Sequence, residues 1–106
     1  MNLGLNLQNV AVDFKIDTGF DGECLVPYNI FDKLKGTEYN GPYVVLSDGT
    51  IYSTKAKIVE LKYKDKVVYL ECLSVPYKIN KSLLGEKALK KLEIVIDYKS
   101  LEVRDP

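Results

Sequence analysis

The feature that most constrains this chain is the alternation at its start. Leu3, Leu5 and Leu7 are separated by polar or small residues, and Val10, Val12, Phe14 and Ile16 alternate with Ala11, Asp13 and Lys15. Side chains on a strand point to opposite faces in turn, so each run sets an apolar face on a core and leaves a polar face outside. Gln8-Asn9 between the runs suits a tight hairpin turn. The chain is thus expected to open as a β-hairpin.

Most of the remaining chain also reads as strand. Tyr28 to Lys35 offers Ile30, Phe31 and Leu34 at helical spacing, a short helix ended by Gly36. Tyr39 to Pro42 is turn chemistry, and Tyr43 to Leu46 and the run from Ile51 flank Ser47-Asp48-Gly49-Thr50, a strong hairpin signal. From Ile51 to Tyr63 the apolar parity changes, with Ala56 and Ile58 on one side and Val59, Leu61 and Tyr63 on the other; a bulge near Ile58 is expected. Lys64-Asp65 is a second turn, Val67 to Val75 a strand, and Glu86 to Leu92 a second short helix. Ile94 to Ile96 and Leu101 to Arg104 are final strands joined by a turn over Tyr98-Lys99-Ser100. No repeat or linker divides residues 1–106, which read as a single domain.

Composition removes whole classes of function. The 106 residues carry 15 Lys+Arg against 15 Asp+Glu, a formal net charge of zero. That balance argues against a dedicated nucleic-acid binder, which needs excess cations to neutralise phosphates. No apolar run of about 18 residues offers a membrane-spanning helix. With no His there is no Ser-His-Asp triad, no Cys-His pair and no imidazole metal ligand. Cys24 and Cys72 lie far apart without a CxxC and read as buried small hydrophobes rather than a redox or metal pair. The N-terminus lacks the basic and apolar regions of a signal peptide, so the expected location is cytoplasmic.

The chemistry-bearing feature is Phe14-Lys15-Ile16-Asp17-Thr18-Gly19, an apolar strand running straight into Asp-Thr-Gly. The strand delivers the acid to a turn, Thr18 adds a hydroxyl, and Gly19 permits close backbone approach. Alone, Asp17 could equally be a strand-end Asp in an ordinary turn. Three further segments come in order: Val45-Leu46-Ser47-Asp48-Gly49-Thr50, then Leu83-Leu84-Gly85, then Leu89 to Tyr98. Together with Leu25-Val26-Pro27 after the Asp-Thr-Gly, the set resembles the retropepsin-like aspartic proteases, the single-domain relatives of pepsin, in their small archaeal and bacterial form. The resemblance spans nearly the whole chain.

The implications of that resemblance are specific. The fold is expected to be all-β, a retropepsin-like closed β-barrel with one or two short helices. One Asp-Thr-Gly in a half-sized chain implies a homodimer, with Asp17 from each subunit forming the catalytic dyad. Thr18 would bond across the interface, and Gly19 would allow the two loops to meet. Phe20, Asp21 and Leu83 are implied beside the substrate cleft, Leu46, Ser47, Asp48, Gly49 and Thr50 in a flap over it, and Lys81 near its wall. Pockets for large apolar side chains are implied, with an acidic preference at one outer subsite through Lys81. The implied substrate is a peptide or unfolded protein, and neither metal nor organic cofactor is required.

The chain departs from the family's pattern in three places. Phe20 stands where Ala or Ser is usual. Glu86 stands where an Arg often pairs with an acid at the position of Asp21, so that ion pair cannot form. Only 16 residues precede Asp17, so the dimer is expected to lean on Leu101 to Asp105 or on another surface. Two other readings compete with the endopeptidase: a peptide-binding module of the same fold with a weak or inactive site, acting by strand addition, and an unrelated β-barrel scaffold.

Overall fold

A computed structural model describes residues 1–46, 48–97, 99 and 102–104, with the side chains of Glu102 and Arg104 not described. The expected positions of Ser47 in the flap, of Tyr98 and Ser100 in the last turn, and of Leu101 and Asp105 in the last strand lie outside the described residues.

The opening alternation becomes β1 (Asn2–Leu7) and β2 (Val10–Ile16), paired antiparallel from Asn2↔Lys15 to Leu7↔Val10. Leu5, Leu7, Val12 and Phe14 are buried. Gln8 and Asn9 turn with φ of 52° and 73°, the doubly positive φ that matches a two-residue turn to strand twist. The Gln8 side chain then ties this corner down. Its Oε1 accepts the Lys35 N–H at 2.7 Å, and its Nε2 donates to the Glu60 carbonyl at 3.3 Å.

The next elements are β3 (Cys24–Leu25), α1 (Tyr28–Phe31), β4 (Tyr39–Asn40), β5 (Val44–Val45) and β6 (Ile51–Tyr52). After them come β7 (Lys55–Tyr63), β8 (Lys66–Ser74), β9 (Leu83–Leu84), α2 (Glu86–Lys91), β10 (Val95–Asp97) and β11 (Glu102–Arg104). Seven strands form one curled sheet in the order β1-β2-β9-β3-β8-β7-β4; β5-β6 and β10-β11 are separate hairpins. The decisive crossover is β9. It pairs parallel with β2 and antiparallel with β3, so it inserts between two strands that the sequence separates by only one loop. That loop, residues 17–23, must therefore arch over the end of β9.

Three local expectations are corrected. The first helix is one turn, Tyr28–Phe31, followed by tight turns to Leu34 before Gly36 (φ +145°). Tyr39–Asn40 is an edge strand on Ala56–Lys55 rather than part of a turn. No bulge occurs near Ile58, because β7 and β8 pair without interruption from Lys55↔Ser74 to Tyr63↔Lys66. The parity change has another cause: the sheet has a core on each face. Val59 and Leu61 enter the main core with Phe14, Phe31, Leu70 and Leu84. Ala56, on the other face, enters a second core with Phe20, Leu25, Val44, Leu73, Val75 and Leu83. Lys57 shares the inner parity and hid the pattern. It is only 7% exposed, and its ammonium donates to the Phe31 and Leu34 carbonyls at 2.9 Å each.

Cys24 and Cys72 are both free, fully buried and register partners on β3 and β8. Burial first, then the neighbouring thiol, pushes the Cys24 thiol up, which keeps it protonated and inert. Among the described residues no helix is long and apolar enough to cross a membrane.

Candidate active site

Asp17 stands one residue beyond β2. Its N–H donates to the Leu84 carbonyl at 2.9 Å, which extends the β2-β9 ladder by one bond and fixes its backbone. The chain then turns. Phe20 N–H donates to the Asp17 carbonyl at 3.1 Å, and Gly19 N–H donates to Asp17 Oδ1 at 3.0 Å. An Asp side chain bonding the amide two residues on is the turn chemistry expected of this residue type. Asp17 Oδ2 makes no hydrogen bond among the described residues. Asp17 is half-buried and Thr18 and Gly19 are exposed. Nor does the Thr18 hydroxyl bond anything among the described residues.

Behind the turn, the loop is clamped from two sides. Gly85 opens α2 so close to the loop that a Cβ there would overlap the carbonyl oxygens of Gly22 and Phe20, and its N–H donates to the Glu23 carbonyl at 3.0 Å. This explains the Gly in Leu83-Leu84-Gly85. The side-chain tie that Asp21 and Glu86 cannot make is made by other residues. Lys91 on α2 reaches Glu23 Oε2 at 2.7 Å, and Glu23 Oε1 accepts the Glu71 N–H at 2.7 Å. Glu23 and Lys91 were not singled out from sequence. Their signal is an acid just after the motif and a base on the facing side of the helix. Glu86 is exposed and lies 3.9 Å from Lys90.

The β5-β6 hairpin covers this region. Val44, Leu46 and Tyr52 turn down onto the second core, while Val45 and Ile51 face out. Its tip is tied to itself: Gly49 N–H donates to the Leu46 carbonyl and Thr50 N–H to Asp48 Oδ1, both at 2.8 Å. Tyr52 OH donates to Asp48 Oδ2 at 2.8 Å. The Thr50 backbone bond, then the Tyr52 hydroxyl, hold the Asp48 carboxyl below its ordinary value; the same carboxylate pushes the Tyr52 phenol up. Gly49 sits at φ +77° in open space, a conformation that disfavours any other residue.

A cavity of about 340 Å³ lies between hairpin and loop. It brings together four of the residues expected at the site: Asp17, Leu46, Lys81 and Leu83. Asn2, Asp13, Lys15 and Ser82 complete its wall. Phe20 is elsewhere. At 4% exposure it packs in the second core and folds back over Gly22, so it supports the loop from beneath. Asp21 lines a different cavity, of about 370 Å³, with Glu23, the hairpin base at Pro42–Val44, Glu71 and the α2 lysines Lys87 and Lys91. Asp48, Gly49 and Thr50 form the hairpin tip and do not line the cavity beside Asp17. Lys15 was missed as a site residue, although strand alternation alone sets it on the same face as Asp17.

No protein-family model and no curated protein matches the sequence. Among solved structures the chain is similar to the EIAV protease, a retroviral protease, in complex with the inhibitor HBY-793. The match has a TM-score of 0.71 at 19% identity and covers 87% of this chain and 86% of that one. The curled all-β sheet with its short helices is thus a retropepsin-like fold.

Proposed function

We propose that the chain is a homodimeric aspartic endopeptidase whose catalytic dyad is Asp17 and its copy in a second subunit. The observation that carries this reading is the state of the Asp17 loop. Within a retropepsin-like fold, the loop is held rigidly by backbone bonds and Gly85, yet it presents a carboxylate oxygen and a threonine hydroxyl that bond nothing among the described residues. Groups so placed are half of a site. Two carboxylates brought close together share one proton, because like charges at that distance cannot both ionise. The ionised member takes a proton from water, which attacks the scissile carbonyl; the protonated member donates to the carbonyl oxygen. The newly protonated member then protonates the amide nitrogen, the C–N bond breaks, and the other carboxylate recovers a proton from the tetrahedral hydroxyl as the new carboxyl forms, which returns the dyad to its single proton. Thr18 would bond across the axis and hold the carboxylates coplanar. The β5-β6 hairpin would close over an extended peptide and exclude water.

Replacing Asp17 by Asn tests this. The amide is nearly isosteric and keeps an oxygen for the Gly19 N–H, so the fold is expected to persist with an unchanged thermal midpoint. It cannot accept a proton from water, so hydrolysis of a denatured protein at acidic pH is expected to vanish. Full turnover in the Asn variant refutes the assignment, as does a strict monomer in sedimentation equilibrium with and without a peptide inhibitor.

One observation favours a second reading, a peptide-binding module with a weak or inactive site. The Gly49 and Thr50 amides at the hairpin tip are already bonded within the turn, so they are not free to meet a substrate backbone. Tight binding of a peptide that is never cut would select this reading.

A further inference from the structure

The wall of the cavity beside Asp17 carries two cations. Lys15 precedes Asp17 by two positions on β2, so strand alternation sets both on one face, and Lys15 pairs in register with Leu83. Lys81 enters from the loop before β9. Both are exposed, and neither ammonium has an ion-pair or hydrogen-bond partner among the described residues. Of the two acids in the same wall, Asp13 accepts a bond from Asn2 Nδ2 at 3.2 Å and Asp17 is held by Gly19 N–H. Leu46 and Leu83 supply apolar surface beside the lysines. Short methylenes against leucine with a carboxylate reaching an ammonium is the shape of a glutamate side chain.

We propose that this cleft selects a peptide carboxylate, held by Lys15 and Lys81, next to the bond presented to Asp17. The proposal rests on the reading that a peptide occupies this cleft; it moves the acidic preference expected at an outer subsite through Lys81 to a Lys15–Lys81 pair beside Asp17, where an apolar pocket was expected. Two ion pairs to exposed lysines give a modest preference, screened by salt. The carboxylate comes either from an Asp or Glu side chain or from the end of a peptide.

The test uses the full chain and pairs of otherwise identical peptides with Glu or Gln near the scissile bond, each made with a free and an amidated C-terminus. Turnover is read on cleavable peptides, and binding on copies in which a reduced amide replaces the scissile bond. The expected result is roughly a five- to tenfold preference for Glu at low salt, shrinking at high salt. It is expected to be lost in a Lys15→Gln/Lys81→Gln double variant that keeps the wild-type thermal midpoint. A preference in binding without turnover upholds charge selection and refutes hydrolysis. Turnover that treats Glu and Gln alike refutes charge selection and leaves hydrolysis standing. A preference that follows the free C-terminus assigns the lysines to a terminal carboxylate. Neither binding nor turnover overturns both readings.

Discussion

Replacing Lys57 by Met asks how much a buried ammonium contributes to this fold. The side chain is 7% exposed, donates to the Phe31 and Leu34 carbonyls at 2.9 Å, and lies 4.6 Å from the centre of the Phe31 ring. Met preserves the volume of the stem, so the cavity contribution is small. The Phe31 carbonyl keeps the Leu34 N–H at 3.1 Å. The Leu34 carbonyl loses its donor, at a cost of roughly 1–3 kcal/mol for a buried acceptor. The cation over the ring adds about 1 kcal/mol more. Relief of the desolvated charge offsets part of this, since burying an ion is itself costly. The expected net loss is about 2 kcal/mol, or roughly 9 °C in thermal midpoint for a domain of this size. Urea unfolding followed by circular dichroism at neutral pH measures it. A variant within about 0.5 kcal/mol of wild type, or more stable, would show that desolvation cancels the two bonds and refute the reasoning.

Gly85→Ala should destabilise by roughly 1–3 kcal/mol and lower turnover together, because the added methyl drives α2 away from the loop that holds Asp17; urea titration and peptide hydrolysis check both. The Asp48 carboxyl is held below its ordinary value in the folded chain, so its support of the hairpin tip is complete above the unfolded value and is lost as pH falls through the lowered one. Thr50 amide exchange, relative to an Asp48→Asn variant, should therefore accelerate only at the acid end. Desolvation first, then the 2.6 Å bond to Glu71, pushes the Tyr39 phenol up to about 12 from 10.0. Its contribution is complete below pH 10.0 and lost as pH rises through about 12; an ultraviolet titration should lose a late step near 12 in Tyr39→Phe, while the raised phenols of Tyr28 and Tyr52 remain.

The elements legible in the sequence are those whose pattern is set by a single core. Both faces of the β1-β2 hairpin could be read because only one of them packs. β7 was misread for the opposite reason: Ala56 serves the second core, Val59 the first, and Lys57 stands between them at an inner position with its charge satisfied by backbone carbonyls. Local pattern also carries no trace of β9 inserting between β2 and β3, nor of Cys24 meeting Cys72 across 48 positions of chain, since both are long-range pairings. The edge strand Tyr39–Asn40 is two exposed residues with no apolar signature to find.

The cavity beside Asp17 was half legible for a related reason. Asp17 was legible through the letters around it, and Leu83 through the family resemblance that Leu83-Leu84-Gly85 carries. Lys15 was passed over because hydrophobic alternation treats the outward residues of a strand as filler. On β2 the inward face is committed to packing, with Val12 and Phe14 buried, and tolerates little change. The outward face has no such duty, so Asp13, Lys15 and Asp17 there are free to be chosen for chemistry at almost no cost to the fold. A strand that ends in a turn of the proposed kind therefore divides its information between its faces. The apolar one specifies where the acid stands, and the polar one, silent to any reading of cores, specifies what approaches it.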